Sequence, residues 1–309
     1  MTARDVAADQ ATHQRKADLT GMTGMAVGNV LLIVNDTLVK VAASHLPMSQ
    51  VIFLRAVVAA TFLLSVYRYT APSGAPWPAF SPALLWRALL EAGTSFSYLY
   101  ALQLLPIGDL AGLQQITPLV LLAGAAVVFR ERIGWQGWLA AAVGLFGALL
   151  IVRPAAGGSM AAMLNLGAAL ALIAVALQVG RDLLTRALPA GASPAFVAGT
   201  SQLAMITGGL LLAPFDAWTW PQPVHWAEIA GAALFLGVAN LWLVTAMRSG
   251  RLSVVAPFRY AGLLAALAAG WFVWGEFPDK LSLLGSAIIT ASGLYSLRRG
   301  QTSREEGVR

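Results

Sequence analysis

The sequence contains no cysteine, only three histidines and few charged residues, which make up 11% of its 309 residues. Without cysteine the chain forms no disulfide, binds no metal through thiolates and has no cysteine nucleophile. A soluble domain contains about 25% charged residues. The composition therefore excludes a soluble globular protein, a disordered chain and a nucleic-acid-binding protein, although the isoelectric point is about 10.1.

Long apolar segments make up most of the chain. Apolar residues account for 58% of it, and its mean hydropathy is +0.71. A helix needs about 20 mostly apolar residues to cross a bilayer. Ten segments meet this condition: 21–41, 49–68, 84–103, 108–129, 135–152, 163–185, 194–213, 226–247, 253–274 and 281–297. They predict an all-α polytopic membrane protein with ten transmembrane helices.

Lysine and arginine predict the orientation of these helices, because cytoplasmic connections are enriched in both. With the N-terminus in the cytoplasm, fourteen of the twenty basic residues lie on the cytoplasmic side, against Arg153 and Lys280 on the other. The first twenty residues are polar and lack a cleavage signal, so both termini are predicted to be cytoplasmic. Arg68 and Arg87, at the ends of predicted helices, are counted as cytoplasmic, and the remaining four basic residues are assigned to helix interiors: Lys40, Arg55, Arg181 and Arg259.

The two halves of the chain align when one is shifted by 145 residues. This shift places 34–40 on 179–185, and Gln114 and Gln115 on Arg259 and Tyr260. Five helices per half is an odd number, so the second half must enter the membrane in the opposite sense. Such inverted repeats are common in secondary transporters, whose substrate site lies near the midplane. We predict tails over 1–20 and 298–309, and five-helix repeats over 21–152 and 163–297.

Several stretches of the chain form a recognisable pattern: Asp36 with Lys40, Pro47 with Arg55, the segment 101–106, Pro118, Glu131, and Gly144 with Gly147. In this pattern the chain resembles the EamA-type transporters of the drug/metabolite transporter superfamily. Across the whole chain the similarity is greatest to the YddG-type amino-acid exporters of that superfamily. The resemblance implies a transporter of the bacterial cell inner membrane that exports aromatic and other neutral amino acids by alternating access, without a cofactor.

Polar residues on the repeat-related helices are the candidates for substrate binding. Gln114 and Gln115 supply amides, while Arg259 can hold a carboxylate through two hydrogen bonds and Tyr260 adds a phenol. Ser95 and its repeat equivalent Asn240 extend this polar set, and Tyr98 and Trp242 add aromatic surface. The alternatives are that Arg259 is structural and that the aromatic residues belong to interfacial belts.

Charged residues inside the bilayer need a partner or a water-filled cavity, since each costs about 2.5–3.5 kcal/mol at mid-membrane. Asp36 and Lys40 lie four residues apart and are predicted to pair along one helix face. Arg181 and Asp182 point about 100° apart and are predicted not to pair with each other. Cross-half pairs, Asp36 with Arg181 or Lys40 with Asp182, form a further hypothesis. These four residues are coupling or gating candidates, with a purely structural role as the alternative.

Two other basic residues within the predicted helices, Arg55 and Arg87, also need a partner for their charge. Arg55 lies deep enough in its helix to need a partner, and its role is predicted to be structural. Arg87 and Glu91 are four residues apart and are predicted to form a pair at the membrane interface.

The absence of several kinds of functional residue from the predicted helices excludes some classes of function. The sequence has no P-loop, and its histidines, His13, His45 and His225, all lie outside the predicted helices. We therefore predict no catalytic residue, metal or cofactor, and no enzyme, although an aspartate-based intramembrane enzyme using Asp36 and Asp182 is a formal alternative.

The leading hypothesis for function is a secondary-active or facilitative amino-acid exporter in the lipid bilayer. A carrier of another small metabolite or drug is the alternative within the same superfamily. A monomer is compatible with the sequence. The direction of transport and proton coupling stay open.

Overall fold

The computed structural model describes residues 3–71, 81–114, 116–128, 166–188, 192–249, 260–275 and most of 279–292, with isolated positions elsewhere; over 3–15 it describes the backbone alone. All regular secondary structure within the described residues is helical. Its helices are α1 (Ala3–Ala42), α2 (Met48–Thr70), α3 (Pro82–Leu104), α4 (Ile107–Gln114), α5 (Thr117–Val128), α6 (Leu166–Ala187), α7 (Pro194–Leu212), α8 (Pro223–Ser249), α9 (Tyr260–Trp274) and the shorter α10 (Leu283–Ser292). A 3₁₀ turn, Ala213–Phe215, extends α7.

Five stretches within these helices are long and apolar enough to cross a membrane: Lys16–Ala42, Met48–Thr70, Leu166–Thr185, Pro194–Phe215 and Pro223–Met247. Two shorter apolar helices, Ala261–Trp274 and Leu283–Ser292, follow them. The prediction of an all-α polytopic membrane protein is confirmed. The predicted span 135–152 lies largely outside the described residues, as does the tail 298–309, so the count of ten stays a prediction.

Local sequence explains where several helices begin and end. Ser81 caps α3 by accepting a hydrogen bond from the backbone N–H of Leu84 at 3.2 Å, and Pro82 occupies the first helical position, where its missing N–H costs nothing. Pro118 lies in the first turn of α5, where its missing backbone N–H leaves no helical hydrogen bond unmade. Gly275 ends α9 at a φ of 67°, a conformation that favours glycine.

The helices pack in a pattern that relates the two parts of the chain. The most extensive interfaces join α1 with α8, α3 with α6, and α2 with α7. In order of decreasing extent, the following interfaces are those of α3 with α7, α2 with α8, α1 with α9, α5 with α6, and α4 with α9. Exchanging α1 with α6, α2 with α7, α3 with α8 and α4–α5 with α9 reproduces these eight interfaces, whereas the interface of α7 with α8 has no counterpart of similar extent between α2 and α3 within the described residues. A two-fold relation between two halves produces such a pattern.

Gly209 lies where α7 packs most closely against the backbone of α2. A Cβ at this position would lie 2.9 Å from Phe53 Cβ, 3.1 Å from its Cα and 3.2 Å from its N. Because backbone atoms cannot rotate away, Gly209→Ala is expected to destabilise the protein by about 1–3 kcal/mol. The measurement is the midpoint of thermal unfolding of the purified protein in detergent.

Gly231→Ala provides the matched control for this substitution. The nearest atom to its added Cβ is Leu38 Cδ1 at 3.3 Å, the tip of a flexible side chain. The control is expected to unfold within a few degrees of the wild type. Equal midpoints for the two variants would show that the α2–α7 interface tolerates separation.

Candidate functional site

A cavity of about 140 Å³ lies between α1, α2, α3, α4, α6, α8 and α9. A single water needs roughly 10–15 Å³ of such space, so the cavity has room for several waters or for part of a metabolite. Its charged lining residues are two acids, Asp36 and Glu91, and two bases, Arg55 and Arg181, whose formal charges cancel. Its other polar lining residues are Asn29, Asn35, Thr94, Ser95, Tyr98, Gln114, Gln178 and Asn240.

A hydrogen-bonded chain links α1, α2 and α3 on one side of the cavity. Arg55 Nη1 donates to Asn35 Oδ1 at 3.2 Å, and Asn35 Nδ2 donates to Asp36 Oδ1 at 2.8 Å. The hydroxyl of Tyr98 donates to Asp36 Oδ2 at 2.7 Å. Asn35 therefore connects the guanidinium to the carboxylate, and both oxygens of Asp36 accept a hydrogen bond.

A buried ionic cluster connects α3 with α6 on another side. Arg181 Nη1 donates to both carboxylate oxygens of Glu91, at 3.1 and 3.2 Å. The Nε and Nη2 atoms of Arg181 both donate to Asp182 Oδ1, at 2.9 and 2.8 Å. Glu91 Oε2 also lies 3.5 Å from Arg87 Nη2. We call these four residues, Arg87, Glu91, Arg181 and Asp182, the ionic cluster.

Arg87 extends the ionic cluster to α7. Its Nε donates to Thr185 Oγ1 at 2.8 Å, and its Nη1 donates to the backbone oxygen of Val197 at 3.3 Å and to Ser201 Oγ. These contacts engage the guanidinium of Arg87 on several sides. The cluster therefore fixes the relative positions of α3, α6 and α7 beside the cavity.

Four lining residues each carry a buried polar atom without a hydrogen-bond partner among the described residues: Arg55 Nε, Thr94 Oγ1, Gln114 Nε2 and Asn240 Nδ2. Buried polar groups are usually paired, and leaving one unpaired costs about 1–3 kcal/mol. The four residues come from α2, α3, α4 and α8, and all of them line the same cavity.

Beside the end of the bundle where α1 ends and α2 begins lie the connector that precedes α8 and the first turn of α8. Three contacts join them to the α1–α2 region, and we call these contacts the connector clasp. His45 stacks on His225 of α8 with ring centroids 5.2 Å apart. Trp218 Nε1 donates to Ser49 Oγ at 2.8 Å, and the backbone N–H of Thr219 donates to Gln50 Oε1 at 3.1 Å. The clasp joins the α1–α2 region to the connector between α7 and α8 and to the start of α8.

The cavity brings together six of the residues predicted from the sequence as substrate-binding, coupling or gating residues: Ser95, Tyr98, Gln114, Asn240, Asp36 and Arg181. Trp242 is 40% exposed and packs against the position of Gly24 instead. Lys40 donates from Nζ to the backbone oxygen of Leu105 at 3.0 Å, with the ring of Trp274 5.2 Å away. Gln115, Arg259 and the side chain of Tyr260 lie outside the described residues.

Two expectations about ion pairs are wrong. Arg181 does pair with Asp182, because its long side chain folds back around the helix and covers the 100° between them. Asp36 binds Asn35 and Tyr98 rather than Lys40 or Arg181. The predicted pair of Arg87 and Glu91 does form, at 3.5 Å, and it is buried within the protein, with 2% and 8% of these residues exposed.

Other cavity residues were not predicted as site residues, among them Thr94, Gln178, Asn29 and Asn35. A helical period of three and four residues could have revealed Thr94, since Glu91, Thr94, Ser95 and Tyr98 share one face of α3. The same period places Asn29 on the face of α1 that carries Asp36. A polar stripe on a membrane helix indicates a face turned away from lipid.

Residues 19–153 match a known family, described as the EamA-like transporter family. The chain is 25% identical over 272 residues to the pseudopaline exporter CntI of Pseudomonas aeruginosa, covering 84% of this chain and 89% of that one. It is 26% identical over 304 residues to the S-adenosylmethionine uptake transporter of Rickettsia prowazekii, covering 94% and 98%. It is 31% identical over 189 residues to the riboflavin transporter of Vibrio cholerae, covering 60% and 61%.

A solved crystal structure shares the fold. It superposes with a TM-score of 0.63 at 20% identity, covering 91% of this chain and 96% of that one. The three relatives are named as transporters or exporters and not as enzymes, which confirms the prediction that this chain is not an enzyme. Their names point to three different solutes and do not single out the YddG-type exporters.

Proposed function

Because residues 19–153 match the EamA-like transporter family, we propose that this chain carries a small polar metabolite across a membrane through the cavity between its helices. The observation that carries this proposal is the set of unpaired polar atoms on Arg55, Thr94, Gln114 and Asn240. They come from four helices and line one cavity, so a single solute can satisfy them together. A solute of this kind gains hydrogen bonds that the empty cavity leaves unmade.

Alternating access is the proposed mechanism. The eight most extensive helix interfaces are reproduced when the two halves are exchanged. This symmetry supports two repeats, 21–152 and 163–297, that rock around a midplane site. The connector clasp closes one end of the bundle in this conformation. We propose that its opening, with closure at the other end, exposes the cavity alternately to the two sides of the membrane.

The proposed location is the bacterial inner membrane, with both termini in the cytoplasm. The distribution of lysine and arginine supports this orientation. In this orientation the connector clasp faces outward, and the cavity is closed on that side. Export of amino acids is the narrower proposal, supported by the basic and acidic residues that line the cavity together. The relatives named above favour the broader class of small metabolites.

Uptake into proteoliposomes tests the proposed function. The tested solutes are riboflavin, S-adenosylmethionine, phenylalanine, tryptophan and threonine, each radiolabelled. Uptake of at least one solute above empty liposomes, saturating with concentration, is the expected result. Failure to transport any member of this panel would contradict the proposal for the solute classes that the sequence and the relatives indicate.

The role of the unpaired amides is tested with the double variant Gln114→Leu/Asn240→Leu. It should lower transport about tenfold or more while the protein stays folded, because each lost ligand hydrogen bond is worth about 0.5–1.5 kcal/mol. Gln202→Leu is the matched control, since Gln202 is 2% exposed and has an unpaired amide oxygen but does not line the cavity. Equal transport by the double variant and the wild type would remove these amides from the site.

A further inference from the structure

Arg55 has fewer partners than the other buried arginines described around the cavity. It is 3% exposed, yet its guanidinium makes one hydrogen bond within the described residues, from Nη1 to Asn35 Oδ1. A guanidinium carries five N–H donors. Arg87 and Arg181, by contrast, each contact a carboxylate and bind several oxygens.

The free donors of Arg55 share one edge of the guanidinium. Nη1 is directed to Asn35, the buried Nε is unpaired, and no hydrogen bond of Nη2 is found within the described residues. The edge formed by Nε and Nη2 has the geometry that binds a carboxylate through two parallel N–H···O hydrogen bonds. Arg55 is one of the residues that line the cavity.

The two acids that line the cavity are already engaged by other residues. Asp36 accepts from Asn35 and Tyr98, and Glu91 accepts from Arg181 and lies beside Arg87. Neither makes an ion pair with Arg55 within the described part of the chain. The open edge of Arg55 therefore lacks the anion that normally accompanies a buried guanidinium.

We propose that Arg55 binds the carboxylate of the transported solute, and that the solute is a zwitterion. This inference rests on the proposed function and adds the substrate class. The formal charges of the described lining cancel, so burying a lone carboxylate would leave uncompensated charge, which is costly. A zwitterion brings its own cation, which can lie against Asp36 or Glu91, because a carboxylate offers about four acceptor sites.

The neutral groups bind the rest of the polar part of the solute. Thr94, Gln114 and Asn240 each present an unpaired buried atom to the same cavity. Hydroxyl and amide groups donate and accept, so they suit a solute with several polar positions. Arg55 then selects the carboxylate, while these three residues orient what is attached to it.

Ligand binding by the purified protein, measured as a shift of its thermal unfolding midpoint with concentration, tests the proposal. The probes are phenylalanine, threonine and methionine, the primary amide of each, and 3-phenylpropionate, which keeps the carboxylate but lacks the amine. At least one of the zwitterions should bind, and about tenfold or more tighter than its amide or the amine-free acid. Arg55→Lys keeps the charge but loses the planar edge, and should weaken zwitterion binding about ten- to a hundredfold.

Two further variants guard against misfolding as an explanation. Arg55→Gln/Asp36→Asn removes one base and one acid, keeps the lining neutral, and should abolish the preference for the carboxylate over the amide. Arg68→Lys, at an exposed position near the end of α2, should leave binding unchanged. Equal binding of acid and amide by the wild type, or unchanged zwitterion affinity in Arg55→Lys, would overturn the proposal.

Transport assays distinguish failure of the zwitterion proposal from failure of the proposed function on which it rests. If uncharged riboflavin enters proteoliposomes and no zwitterion of the panel does, the zwitterion proposal fails and the transporter proposal stands. If neither riboflavin nor S-adenosylmethionine nor any amino acid enters, the proposed function itself fails.

Discussion

Replacing Glu91 by glutamine is expected to destabilise the folded protein by about 3–5 kcal/mol, the cost of leaving buried charges without their partner. Glu91 is 8% exposed and contacts both Arg181 and Arg87. Its loss leaves two buried guanidinium groups that share Asp182 as the remaining acid of the ionic cluster. The midpoint of thermal unfolding in detergent and the yield of monodisperse protein measure the effect.

A compensating variant distinguishes charge imbalance from lost packing. Glu91→Gln/Arg181→Gln removes one acid and one base, so the cluster returns to one base and one acid and should recover a large part of the lost stability. Arg68→Gln, a charge change at an exposed position, should have little effect. A double variant no more stable than Glu91→Gln would show that the contacts of Glu91, and not its charge, support the fold.

Cross-linking the connector clasp is expected to reduce transport to near zero. His45 and His225 stack with ring centroids 5.2 Å apart, and they join the two regions that must separate if this end of the bundle opens. The natural chain has no cysteine, so His45→Cys/His225→Cys carries the only two thiols. A short bis-methanethiosulfonate reagent can join them, and a reductant can release them, while uptake into proteoliposomes is followed.

Three controls accompany this experiment. The single variants His45→Cys and His225→Cys, treated with the same reagent, should keep the transport that they show before treatment. Reductant should restore transport to the cross-linked double variant. Full transport by a quantitatively cross-linked protein would mean that this end of the bundle stays closed during transport.

Much of the candidate site could be predicted from the sequence. Asp36, Ser95, Tyr98, Gln114, Asn240 and Arg181 line the cavity, because polar residues in membrane helices turn away from lipid and the repeat directed attention to corresponding positions. The partners of these residues could not be predicted in the same way. Arg181 binds Glu91, which lies 90 positions earlier in the chain, and nothing local to Arg181 specifies that contact.

The hydrogen-bond partners of Arg55 could not be predicted from the sequence either. Its position in an apolar helix predicts a need for a partner, and a structural ion pair was the natural expectation. The packing of α1 against α2 instead gives it the side-chain oxygen of Asn35 and leaves the Nε atom unpaired. Whether a buried charge is satisfied depends on distances of about an ångström between different helices.

That this chain is an all-helical membrane protein follows from its sequence alone, because a bilayer requires long apolar segments with internally bonded backbones. The sequence also shows which helices carry polar residues. Only the folded chain shows which of those residues meet, which charges compensate one another, and which donors have no partner. Hydropathy is a property of each segment, whereas hydrogen bonds and ion pairs between helices depend on how the segments pack.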